Sequence, residues 1–268
     1  MADDEESVSW VLLHGSDAAL SSRAAGPYPP RSRIVLLHGW LQSHRCWLAT
    51  AYALRDLYHH DVLLLDFYAH GLTSGPSNKE RMSPFGFVEL LCRRLAAIGW
   101  DGGARLTLCG CSFGAGVAMR YACANPSRVA RLTLVVPPGL EEPWYMPCHF
   151  TRELAKVLCA LAPHSRWLDL LRMIRTTPIY GIDMPRLVAL AAAGTFNVFV
   201  YGAELDVVHA PHSEFWRAAE HRCNGFLRYE LLKGRTHWGC CDNLYHLGLH
   251  NDEALWHDPR AREPRARL

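Results

Sequence analysis

Leu106-Thr107-Leu108-Cys109-Gly110-Cys111-Ser112-Phe113-Gly114-Ala115-Gly116-Val117 is an apolar run, then a serine with glycines two residues to either side, then residues that continue at helical spacing to 125. A buried strand that passes straight into a helix must reverse sharply at the serine, and glycines beside the turn let neighbouring backbones approach without a Cβ in the way. The G-x-S-x-G pentapeptide alone arises often by chance, and its serine is then structural. Here the strand before it and the helix after it give it meaning, and they single out Ser112 as a nucleophile. Cys111 is the lesser candidate, because it sits one position off the apex of the turn.

Working outward, short β-branched or leucine-rich runs recur at 34–38, 62–66, 106–110, 132–136, 197–202 and 226–231. Each ends at glycine or a polar residue, and enough chain for a helix separates it from the next, the pattern of buried parallel strands joined by crossovers. Residues 7–13 predict a leading antiparallel strand, and 26–31 a proline-containing turn region. Apolar residues at helical spacing predict helices over 47–57, 85–99 and 112–125, so the fold class is α/β with a mostly parallel, doubly wound sheet. VLLHG occurs at 11–15 and again at 35–39, but the flanking residues do not follow at that offset, so no repeat is read.

The rhythm breaks at 138–194, which offers no strand but two amphipathic stretches, one lined by Leu154, Val157, Leu158 and Leu161 and one by Trp167, Leu170, Leu171 and Ile174. The expectation is a helical lid inserted after a core strand, the alternative a pair of ordinary crossover helices. Residues 1–250 are expected to form one domain; from 251 the chain is rich in Asp, Arg and Pro, and a flexible tail that adds nothing to the core is expected.

Half of the 268 residues are hydrophobic and a fifth are charged, which suits a globule with a sizeable core. A formal charge of +2, with Lys and Arg dispersed, argues against a nucleic-acid or polybasic membrane surface and for a small neutral substrate. The acidic residues 1–6 do not read as a signal peptide, and no apolar run approaches membrane-spanning length, so an intracellular protein is expected. The ten cysteines then read as reduced thiols. Neither Cys109 with Cys111 nor Cys240 with Cys241 has the two-residue spacer of a zinc knuckle, so no metal is expected.

A serine hydroxyl is a weak nucleophile near neutral pH and needs a base, with a third group to hold that base in the right tautomer. Asp206, just beyond the strand at 197–202, is expected to be the acid, and His237, in Gly234-Arg235-Thr236-His237-Trp238 after the last strand, the base. Both follow the carboxyl ends of strands, where such sheets gather ligands. Glu204, Asp242, Glu141 and Glu142 compete for the acid's place, and Asp206 ranks first because a strand, a glycine and a short turn precede it. Backbone N–H groups of Phe113 and Trp40 are the candidate donors to an oxyanion.

Together these residues resemble the α/β-hydrolase family over about 34–243. His38-Gly39-Trp40 is similar to the family's oxyanion loop, and Asp66-Phe67-Tyr68-Ala69-His70-Gly71-Leu72-Thr73-Ser74 to its D-x-x-G-H-G-x-S signature, with Ala69 in place of glycine and Thr73 in place of serine. Gly202-Ala203-Glu204-Leu205-Asp206 is similar to the acid turn, and His237-Trp238 to the base loop of many esterases and of carbon–carbon hydrolases of ring-cleavage products. The resemblance implies a lid, here short for the four-helix type. Trp144, Tyr145, Met146, Phe150 and Trp167, with Trp238, suggest an apolar substrate pocket for an acyl, aryl or small lipid group.

The function expected is hydrolysis of a carboxylic ester through an acyl-enzyme on Ser112, without a cofactor. The same constellation serves carbon–carbon bond or thioester hydrolysis, and the scaffold can also act as a non-catalytic small-molecule receptor. Ala266-Arg267-Leu268 resembles a relaxed S-K-L peroxisomal address, which would make an import receptor a partner; the alternative is an accidental basic terminus.

Overall fold

Successive residues of a strand point to opposite faces of its sheet, and in this chain both sets are apolar, so the central strands are buried on two sides. The structure is a computed structural model that describes residues 8–15, 32–76, 78–138, 183–208, 212–241 and 244–256. Seven strands, β1 (Trp10–Leu13), β2 (Arg33–Leu37), β3 (Asp61–Leu65), β4 (Leu106–Cys111), β5 (Val129–Val135), β6 (Asn197–Leu205) and β7 (Leu227–Thr236), form one sheet in the order β1-β3-β2-β4-β5-β6-β7. Only β1 runs antiparallel, with Trp10 opposite Leu65 and Leu13 opposite Val62. All the other pairs are parallel.

Ile34, Leu36, Val62, Leu64, Cys109 and Cys111 face one layer, where helix α1 (Leu48–Tyr58) packs with Trp47 and Leu54. Val35, Leu37, Leu63, Leu65, Leu108, Leu132 and Leu134 face the other. That second layer is built from α2 (Pro84–Ala97), α3 (Phe113–Ala124), α4 (Met184–Ala192) and α5 (Ser213–Arg222). Ser83 caps α2 by accepting from Gly86 N–H, with Pro84 at the first turn, where its missing donor costs nothing. Alanines and glycines dominate α3, which is why it lies close enough to the sheet to be buried almost all round.

After β2 the chain leaves toward β3, and after β4 it leaves the opposite way toward β5, so the strand order reverses between β2 and β4. The crevice at such a reversal, outside the carboxyl ends of the strands, is where open α/β sheets bind ligands. The loop 38–42 and Ser112 both open onto it.

One expectation needs correction. Residues 251–256, expected in the tail, belong to the core instead: a short helix α7 (Glu253–Trp256) puts Leu255 and Trp256 fully into the α1 layer, and Trp256 Nε1 donates to Leu249 O at 2.7 Å. Large apolar side chains contribute about 1.5–3 kcal/mol each when buried, enough to outweigh their charged neighbours. Most of the 138–194 stretch lies outside the described residues, including Trp144, Tyr145, Met146, Phe150 and Trp167. Its end is α4, which buries Met184, Leu187, Val188 and Ala191 beside α3 and leads into β6, so that part is a crossover helix. The terminal Ala266-Arg267-Leu268 also lies outside the described residues. No helix among the described residues is long and apolar enough to cross a membrane.

Candidate active site

Ser112 stands at the turn from β4 into α3 with φ 50° and ψ −117°, a conformation that costs a non-glycine residue about 1–3 kcal/mol. Its surroundings hold it there. Ser112 N–H donates to Val135 O at 2.9 Å, and Ser112 O accepts from Ala115 N at 2.9 Å and Gly116 N at 3.2 Å. A Cβ on Gly110 would sit 2.3 Å from Gly114 O, and one on Gly114 would sit 2.4 Å from Leu37 O and 2.5 Å from His38 O. The two glycines of the pentapeptide are therefore what allows strand, turn and helix to close on β2.

The structure brings His237 and Asp206 to this serine. His237 Nε2 lies 2.9 Å from Ser112 Oγ, and His237 Nδ1 lies 2.8 Å from Asp206 Oδ2. A carboxylate only accepts, so Nδ1 carries a proton, and in the neutral ring Nε2 is left to accept from the hydroxyl. Ser112 and His237 are buried, and the Asp206 side chain is 2% exposed. Glu204, the nearest rival in sequence, is exposed and accepts from Gly234 N at 2.8 Å instead. Glu141, Glu142 and Asp242 lie outside the described residues.

The backbone carrying these groups differs from the loops expected. β6 runs on to Leu205, β7 runs on to Thr236, and Leu205 pairs with Thr236 beyond an irregularity in register, so each residue comes straight off a strand end. His237 is the first residue of a five-residue helix, α6 (His237–Cys241). Residues 233–236 are exposed, and an exposed strand end lacks the apolar pattern that reveals a buried one.

Burial alone would lower the His237 imidazole, but the Asp206 carboxylate, which accepts from it, and the neighbouring Cys241 sulfur outweigh burial and raise it to about 9. Cys111 itself is fully buried, which pushes its thiol well above the ordinary range and argues against it as the nucleophile.

The loop after β2 is braced from beneath. His38 Nδ1 donates to Gly39 O at 2.7 Å while its Nε2 accepts from Phe67 N at 3.1 Å. Complete burial, then the neighbouring His70, lowers His38 to about 3, so it is a neutral strut. Gln42 Oε1 accepts from Gly39 N at 2.8 Å and Gln42 Nε2 donates to Cys241 O at 3.0 Å, tying this loop to α6. The backbone N–H groups of Trp40 and Phe113 donate to no acceptor among the described residues, which leaves both available to a ligand.

Asp66, at the end of β3, accepts from His44 N at 2.6 Å, His44 Nδ1 at 3.0 Å and Leu72 N at 3.2 Å. Burial would raise its carboxyl, but the bonds from His44 hold it below the ordinary range. A Cβ on Gly71 would lie 2.0 Å from Asp66 Oδ2, so that glycine is required. Ala69, where glycine is usual, is held left-handed at φ 62°. Thr73 donates to Asp66 O at 3.1 Å and accepts from Ser9 N at 2.8 Å, so a threonine hydroxyl closes this turn and fastens the segment leading into β1.

Trp238 is 48% exposed, its ring edge-on to His237 at 5.6 Å.

A family model described as "alpha/beta hydrolase fold" matches residues 32–166, half of the chain. The chain belongs to the alpha/beta hydrolase fold family. Among solved structures, this hydrolase-fold chain is similar to an alpha/beta hydrolase enzyme from a Medee basin deep-sea metagenome library, with 16% identity, 93% of this chain and 94% of that one covered, and a TM-score of 0.65. A structure from a study of carboxylesterases of the Thaumarchaeon Nitrososphaera gargenis is 18% identical, with 95% and 98% covered and a TM-score of 0.63. The Paleococcus ferrophilus monoacylglycerol lipase is 18% identical, with 92% and 98% covered and a TM-score of 0.60. At these identities the likeness shows the α/β-hydrolase fold alone.

Sequence reasoning missed Gln42, His44 and Cys241. Gln42 and Cys241 lie 199 residues apart and meet only through the fold. For Cys241 one signal was available: it stands four residues after His237, which on a helix places both on one side.

Proposed function

We propose that this chain is a serine hydrolase that cleaves a carboxylic ester of a small acyl, aryl or lipid group. The observation that carries the reading is the unbroken chain of hydrogen bonds from Ser112 Oγ through the His237 ring to Asp206, at the reversal point of the sheet. His237 Nε2 takes the Ser112 proton as Oγ attacks the ester carbonyl, and Asp206 steadies the imidazolium that forms. The tetrahedral oxyanion is received by the N–H groups of Phe113, at the N-terminus of α3, and of Trp40, in the loop braced by His38 and Gln42. Collapse expels the alcohol with the proton from His237, and water, deprotonated by the same imidazole, releases the acid. No step calls on a cofactor.

Trp238, beside the imidazole and half open, is suited to hold an apolar part of the substrate. Residues 144–146, 150 and 167 are proposed to supply the rest of an apolar pocket.

The test is turnover of p-nitrophenyl acetate, butyrate and octanoate by the wild type and by Ser112→Ala. The expected result is hydrolysis by the wild type and a loss on the order of 10⁶-fold in the variant. Turnover confined to acyl-CoAs or vinylogous diketones would move the assignment to thioester or carbon–carbon cleavage, and none at all would favour a receptor. The C-terminal tripeptide is proposed as a peroxisomal address; a fluorescent protein carrying residues 251–268 should concentrate in peroxisomes, and diffuse fluorescence would dismiss it.

A further inference from the structure

We infer that Cys111 and Cys241 form a redox modification site, in which peroxide joins the two sulfurs in a disulfide that slows the neighbouring active site. Cys111 ends β4 and is bonded through the backbone to Ser112; Cys241 ends α6, four residues after His237. Their side chains meet in the layer on the α1 side of the sheet, the Cys111 thiol donating to Cys241 Sγ at 2.8 Å. An S–S bond is about 2.05 Å long, so the sulfurs need to close by roughly 0.8 Å. In the proposed mechanism neither sulfur bonds to substrate.

The pair is asymmetric in a way that suits this chemistry. Cys241 receives the hydrogen bond from Cys111 and lies against the His237 imidazole, and these contacts outweigh burial to lower its thiol below the ordinary range. Burial and the Cys241 sulfur push Cys111 the other way. Cys241 is therefore the sulfur that exists as thiolate, and Cys111 is the resolving thiol beside it. Both are buried, but Cys241 keeps 2% of its surface and the neighbouring Ser112 7% in contact with solvent, and hydrogen peroxide, little larger than water, can enter at this corner of the crevice.

The Cys241 thiolate attacks one peroxide oxygen, the O–O bond breaks, and sulfenic acid and hydroxide result. Cys111 sulfur then attacks the sulfenic sulfur, the S–O bond breaks, and the departing hydroxide takes the Cys111 proton as water. With the first hydroxide protonated, two thiols and one peroxide give one disulfide and two waters, so two sulfurs are oxidised by one electron each and two oxygens are reduced. Closing the sulfurs draws α6 toward β4 and shifts His237 against Ser112, and a misplacement near 1 Å at a reacting pair can cost about a hundredfold in rate.

The effect on turnover rests on the proposed esterase reading; formation of the disulfide does not. The full-length reduced chain is exposed to hydrogen peroxide, denatured and alkylated, and digested without reduction for mass spectrometry. A Cys111–Cys241 linked peptide is expected, with p-nitrophenyl butyrate turnover falling tenfold or more and both changes reversing in dithiothreitol. The link should persist in Cys240→Ser and vanish in Cys111→Ser and in Cys241→Ser. Absence of the linked peptide, a link made by Cys240 instead, or unchanged turnover in fully linked protein would overturn the inference. Failure of the esterase reading would look different, as no ester turnover by the reduced chain while the linked peptide still forms.

Discussion

Replacing Asp206 with Asn keeps the shape of the acid and removes its charge, and the effect on the pH profile can be worked from the geometry. The carboxylate lies 2.8 Å from His237 Nδ1, and both side chains are 2% exposed, so solvent screens the pair little. Against the lowering effect of burial, Asp206 and Cys241 raise the imidazole from 6.5 to about 9. At about 1.4 kcal/mol for each tenfold change in acidity, this is a preference of roughly 3 to 4 kcal/mol for the imidazolium. The base must be neutral to act, so a raised imidazole delays activity: kcat/KM should climb through a midpoint near pH 9, with about one imidazole in a hundred neutral at pH 7. Asparagine leaves burial opposed only by the Cys241 sulfur, and the midpoint should fall by at least about one pH unit. The plateau should drop about 10⁴-fold, because Asn no longer selects the tautomer with the proton on Nδ1. The assay is kcat/KM for p-nitrophenyl butyrate from pH 5 to 10, with Ser112→Ala as the alkaline blank. A midpoint that stays where the wild type has it, on a plateau within tenfold of normal, would refute the role given to Asp206.

Other expectations follow from contacts outside the reacting groups. Gly114→Ala would place a methyl 2.4 Å from Leu37 O and 2.5 Å from His38 O, so β2 and α3 must separate; thermal unfolding should show a loss of about 1–3 kcal/mol or more, with activity reduced as the 38–42 loop moves. Thr73→Val leaves Asp66 O and Ser9 N without the hydroxyl that joins them and should cost about 1–3 kcal/mol in urea unfolding, whereas Thr73→Ser should stay close to the wild type. Trp256→Ala empties a fully buried site in the α1 layer and should cost about 3–5 kcal/mol; a loss below about 0.5 kcal/mol would mean that α7 is not part of the core.

The sheet was legible because its central strands are buried on both faces: 34–37, 62–65 and 106–109 are nearly continuous apolar runs, and that burial is what hydrophobic patterning reports. The turn at Ser112 was legible for a steric reason, since Gly110 and Gly114 stand where backbone leaves no room for a Cβ. The same logic fails where burial is absent. Residues 233–236 extend β7 with exposed side chains, so a strand end passed for a loop. Leu255 and Trp256 are two apolar residues in a charged tract, too few to show a period, yet both are buried. The brace of Gln42 on Gly39 and Cys241 and the Cys111–Cys241 contact are products of the closed fold, with no local signature.

Intact mass and peptide mapping after reaction with diethyl p-nitrophenyl phosphate bear most directly on the proposed nucleophile. One diethylphosphoryl group per chain is expected, attached to Ser112, with none on Ser112→Ala and strongly slowed labelling of His237→Ala. An adduct on another residue, or equal labelling of the Ser112→Ala chain, would contradict the assignment.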